Sequence, residues 1–138
     1  MKLFTDGGSR GNPGPGASGA LLFDEEDKLL TFAGNFFAVT TNNNAEYDAL
    51  YIGIKMAEKH AKSLGVSAIQ LNCFLDSELA VKQMNGEYKI SDTNIKNIKA
   101  KIDILLPSFS AVTFTHVRRE HNKLADKLVN LILDTKLT

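Results

Sequence analysis

The segment DGGSRGNPGPG, residues 6–16, sets an acid beside two glycines and follows it with three more glycines and two prolines. Glycine opens backbone angles closed to other residues and lets a second backbone approach closely, while proline stiffens the chain beyond it. Alone, the segment reads equally as a rigid loop holding Asp6 against a ligand or as a hairpin connection with an incidental acid. Its flanks decide between them. The residues before Asp6 read as a strand, and ASGALLFDEEDKLLTFAGNFFAV after the loop reads as two more, hinged at the acidic turn DEEDK.

From Asn42 the pattern changes. Ala45, Ala49, Ile52, Met56 and His60 recur at helical spacing, which predicts a helix ending near Gly65. SAIQLNCFL, residues 67–75, reads as a buried strand, and DSELAVKQM as a short helix capped by Asp76 or Ser77 and stopped at NGEY. SDTNIKNIKAKIDILL is an amphipathic helix capped at Ser91 or Asp92 and closed by Pro107. SAVTFTHV alternates as a strand, and NKLADKLVNLILD is a final helix with Asn122 as its cap. Three strands, helix, strand, two helices, strand, helix implies an α/β fold: a five-stranded mixed sheet, its first three strands antiparallel and its last two parallel, flanked by helices.

The 138 residues suit one domain, 1–138, large enough to bury a core without staples. A lone cysteine, Cys73, rules out a disulfide framework or a cysteine metal cluster, so it is read as core and cytoplasmic residence is expected. The N-terminus lacks a signal-peptide pattern, and no apolar run approaches the roughly 18 residues of a membrane span. Lys plus Arg and Asp plus Glu balance at 16 each, which argues against a protein that coats nucleic acid by charge alone. It leaves open an enzyme that brings cations to its own carboxylates.

Four acids stand where solvation does not explain them. Asp6 lies in or at the end of the first strand, Glu46 in the first turn of the long helix, Asp76 at the end of LNCFL, and Asp126 early in the last helix. Strand C-termini and helix N-termini are where open sheets present ligand sites. Capping would account for Glu46 or Asp76 singly, but not for the set. Converged carboxylates repel unless cations lie between them, which implies two Mg²⁺ or Mn²⁺ ions about 4 Å apart and phosphoryl transfer by in-line displacement.

In order and spacing, DGGSRGNPGPGASG, TTNNNAEYDAL, FLDSELAV and EHNKLADKL resemble the signature segments of ribonuclease H type 1, over essentially the whole chain. The resemblance implies a metal-dependent endoribonuclease that hydrolyses the RNA strand of RNA/DNA hybrids to 5′-phosphate and 3′-hydroxyl products. It makes Asp6, Glu46, Asp76 and Asp126 the metal ligands. Asp6 bridges both ions, Asp126 serves the ion that activates water, and Glu46 and Asp76 serve the leaving-group side. The hybrid is read through its minor groove, 2′-hydroxyls and phosphates by Ser9, Arg10, Gly11, Asn12, Thr41, Asn42 and Asn43. The glycines are then expected to let the nucleic-acid backbone lie close to Asp6.

The chain also departs from the family pattern. VKQMNGEYKISDTNIKN is too short for the basic protrusion of many members, there is no tryptophan, and HVRREHNKLAD contracts the mobile histidine loop. Arg118, Arg119 and His121 are the candidates to replace that histidine, and Arg118 is favoured because a guanidinium holds phosphate bidentately. The missing protrusion puts a strict demand for a DNA strand in question, so the sequence leaves open whether double-stranded RNA is also cut. A monomer needing no protein partner and no membrane is expected. Two competing readings are a catalytically idle hybrid-binding module, which gains nothing from four clustered charges, and another nuclease of the same broad fold, which TTNNNAE disfavours.

Overall fold

The computed structural model describes residues 1–66 and 68–138. Strand β1 (Lys2–Ser9) shows the period-two burial of a strand between two layers: Leu3 and Thr5 are buried on one side, and Phe4 and Asp6 alternate to the other. It pairs antiparallel with β2 (Gly14–Phe23), setting Leu3 opposite Leu22 and Asp6 opposite Gly19. β2 pairs antiparallel with β3 (Leu29–Thr40). On its other flank β1 runs parallel to β4 (Gln70–Leu75), which runs parallel to β5 (Ala111–His116). The order is β3-β2-β1-β4-β5, the mixed five-stranded sheet expected, with β1 at its centre. The strand expected from Ser67 begins at Gln70, and Ser67 lies outside the described residues.

Helix α1 (Asn42–Ser63) lies over one face. Its Leu50, Ile54 and Ala57 are fully buried against Leu3, Ala20, Leu22, Leu71 and Cys73 of the sheet. α2 (Glu78–Met84) and α3 (Thr93–Leu105) close this layer with Ala80, Val81, Ile95 and Ile102. Cys73 is core, and burial pushes its thiol far above the usual range. α4 (Lys123–Lys136) covers the opposite face, where Val129 and Leu133 meet Ala17 and Phe36. Helices on both faces leave only the strand ends free to host a site.

Local chemistry sets the joints. Asp24 accepts from the N–H groups of Glu26 and Lys28 at 2.8 and 2.9 Å, making the acidic turn. Of the alternative caps, Ser77 accepts from Ala80 N and Asp92 from Ile95 N. α3 stops at Leu105 and gives way to a 3-10 turn, Leu106–Ser108, containing Pro107. The passage from β5 to α4 is less direct than expected, for it carries a 3-10 turn at Arg119–His121.

The glycine-rich segment is mostly not loop, because β1 continues through Gly7 and Gly8 to Ser9 and β2 resumes at Gly14. Gly7 serves packing. A Cβ there would lie 2.3 Å from the Ala45 carbonyl carbon, so only glycine lets α1 press its backbone onto β1. The expectation that these glycines make room for a ligand does not include this packing role of Gly7. Gly8 keeps that freedom, since a Cβ would meet nothing nearer than Asn42 Oδ1 at 3.7 Å.

Candidate active site

The Gly7–Ala45 contact brings the residues on either side of it together. Asp6 precedes Gly7 on β1, Glu46 follows Ala45 on α1, and Asp76 leaves the end of β4, the parallel neighbour of β1. One carboxylate oxygen from each of Asp6, Glu46 and Asp76 lies within 4.8 Å of the others. Asp126, exposed in the first turn of α4, stands outside that trio but lines the same cleft of about 320 Å³. Glu46 is the fifth residue of α1 and so lies past its first turn, contrary to the expected position. A helix-dipole explanation for it weakens accordingly, since that effect fades within one turn.

Burial and crowding push Asp6 and Glu46 in one direction. Asp6 is pushed up to about 8, first by burial, then by the charges of Asp76, Glu46 and Asp126, against a hydrogen bond from Gly7 N–H. Burial lifts Glu46 to about 7, and Asp76 adds to the rise, while a Ser77 hydrogen bond and the charge of Arg119 oppose it. Such a set of hard oxygen donors, short of positive charge, fits divalent cations of the Mg²⁺ or Mn²⁺ kind.

The polar residues expected to meet substrate form a brace beside the acids. Asn42 Oδ1 accepts from Ser9 N at 2.9 Å and from Ser9 Oγ at 3.2 Å, and Asn42 N donates to Asn12 Oδ1 at 3.0 Å. Thr41 caps α1 by accepting from Asn44 N. Gly11 turns the chain at φ 91°, and Arg10 N closes the turn on Pro15 O at 2.7 Å. The Arg10 guanidinium reaches across to Asp134 of α4 at 2.6 Å. Asn43 is exposed at the start of α1. Ser9, Arg10 and Asn42 line the cleft with the acids.

Arg118 does not. It precedes the 3-10 turn, exposed, and the cleft wall is formed instead by its neighbour Arg119, whose charge reaches Glu46. Charge alone could not separate two adjacent arginines; the turn that aims one of them did. Sequence reasoning did not name Ser77 as a partner of Glu46. Asn122 does stand at the N-cap position of α4, as expected, but its side chain makes no cap bond and reaches Thr5 and Asp76 instead.

A mixed sheet with acids gathered where β1, α1, β4 and α4 meet defines the ribonuclease H-like class. A family model described as reverse transcriptase-like matches residues 4–132. The chain is 36% identical to ribonuclease HI of Halobacterium salinarum over 97% of its own length and 64% of that protein's. It spans 35% of a similar bifunctional protein of Mycobacterium tuberculosis, at 32% identity. Among solved structures it resembles LC11-RNase H1 in complex with an RNA/DNA hybrid, at TM-score 0.92 and 35% identity over 99% of both chains. It also resembles RNase H1 of Halobacterium salinarum, at TM-score 0.85 and 34% identity over 97% of both. The chain belongs to the ribonuclease H type 1 family.

Proposed function

We propose that this chain is a metal-dependent endoribonuclease that hydrolyses the RNA strand of RNA/DNA hybrids, leaving 5′-phosphate and 3′-hydroxyl ends. The observation that carries the reading is the convergence of Asp6, Glu46 and Asp76 within 4.8 Å, with Asp126 on the same cleft. A solved relative of nearly the same fold holds an RNA/DNA hybrid. Asp6, Glu46, Asp76 and Asp126 would hold two Mg²⁺ or Mn²⁺ ions, which when bound activate water and neutralise charge at the scissile phosphate.

The remaining roles belong to the protein. The Asn42 carbonyl is occupied by Ser9, so its amide N–H₂ is the group free to donate to a base edge or sugar in the minor groove. Asn12, Asn43, Thr41 and the backbone from Ser9 to Gly11 extend this polar surface to sugars and phosphates. Arg119, beside the acids, takes the role expected of Arg118: a cation that draws the more highly charged product phosphate out of the cleft. Arg119→Ala should keep a product burst and slow the steady state; equal loss in both phases would make it a plain substrate anchor.

Incubation with matched RNA/DNA, RNA/RNA and DNA/DNA duplexes tests the substrate class. The hybrid should be cut in its RNA strand only. Preferential cutting of DNA/DNA would overturn the proposal.

A further inference from the structure

Asn122, 1% exposed, immediately precedes α4. An asparagine there ordinarily turns its carbonyl oxygen onto a first-turn N–H. Here the side chain makes no such bond. Its Nδ2 instead donates to the Thr5 carbonyl at 2.9 Å and to Asp76 Oδ2 at 3.3 Å. The first bond has ordinary length and anchors the amide; the second is long and acts as a restraint on the carboxylate. Thr5 is the residue before Asp6, and the backbone carbonyl of Asn122 accepts from Asp126 N at 3.1 Å, opening the hydrogen-bond ladder of α4. One buried residue thus ties together the three elements that carry Asp6, Asp76 and Asp126.

Resting on the metal reading above, we propose that Asn122 is a positioning residue that sets the spacing at which Asp76 and Asp126 meet a divalent cation. A carboxylate ligand free to rotate binds a cation less tightly than one held by an outer hydrogen bond, and loss of such partners typically costs about 10- to 100-fold in metal affinity. The competing role is structural, a buried tie that merely docks α4 on β1. Asn122→Ser separates the two, because a serine hydroxyl is a good helix cap but is too short to reach both Thr5 and Asp76.

The experiment titrates Mn²⁺ into Asn122→Ser, Asn122→Ala and the wild-type chain by calorimetry without nucleic acid. Alongside it, the Mg²⁺ dependence of single-turnover hybrid cleavage is measured. Ile102→Ala, a cavity in α3 away from the acids, controls for lost stability. Both Asn122 variants should bind Mn²⁺ about 10- to 100-fold more weakly and need correspondingly more Mg²⁺, with the KM for hybrid unchanged and Ile102→Ala binding like wild type. Asn122→Ser should do so with a near-native melting temperature, which keeps the test decisive if Asn122→Ala folds poorly. Mn²⁺ affinity of Asn122→Ser within about threefold of wild type would overturn the inference and leave the metal reading standing. A wild-type chain that binds no Mn²⁺, or an Asp6→Asn variant that binds it equally well, would bring down both.

Discussion

An aspartate pushed up to about 8 keeps its proton at neutral pH until a cation displaces it. Since the ordinary value is 3.8, the native metal-free chain binds more protons at Asp6 than the unfolded chain does between about pH 4 and pH 8. Linkage then fixes the sign: this contribution to stability is fully present below the unfolded value and is lost as pH rises through the folded one. Glu46, lifted to about 7, acts in the same direction. Melting temperatures in chelator should therefore fall as pH rises from 5 towards 8, and Asp6→Asn should flatten much of that slope and melt higher at pH 8. Stability that climbs with pH over this window would show that the acids are not crowded as described. The same variant should cleave more than about 100-fold more slowly, since losing even a supporting group of a metal site costs up to that much.

Between elements, the decisive contact is backbone on backbone. α1 reaches β1 at Gly7, and Gly7→Ala would drive a Cβ to 2.3 Å from Ala45. We expect a loss of about 3 kcal/mol or more in urea unfolding, with activity falling in the fraction that stays folded because Asp6 and Glu46 separate. An alanine variant with wild-type stability and turnover would contradict this account of the glycine. Much at this scale was legible in sequence. Apolar spacing marked α1, and the pair Ser91 and Asp92 announced α3 because a short acceptor before an amphipathic run has one common use, with Asp92 the one that caps it. The packing role of Gly7 and the side-chain partners of Asn122 escaped the sequence for one physical reason: each serves a partner distant in sequence, Ala45 and Thr5, which no local pattern names. Arg119 was one of three candidates and was passed over for Arg118, because which side chain faces the cleft depends on a 3-10 turn of three residues, Arg119–His121.

At the scale of the whole molecule, helices on both faces of the sheet leave open the point where the β1–β4 pairing ends at Thr5 and Leu75, and the acids gather there. No helix among the described residues is long and apolar enough to cross a membrane. Only residues 85–92 join α2 to α3, so no basic protrusion rises between them, and the chain carries no net charge. Under the proposed function, attraction for a polyanion would then rest on cations held at the acids and on the Asn12–Asn42 brace. The measurement that tests this most directly follows an end-labelled RNA strand paired with DNA, in Mg²⁺ and in excess chelator, and identifies the product ends. The account predicts internal cuts in the RNA strand with 5′-phosphate and 3′-hydroxyl ends in Mg²⁺, and none in chelator. Cleavage that persists in chelator, or products ending in 2′,3′-cyclic phosphate, would contradict it.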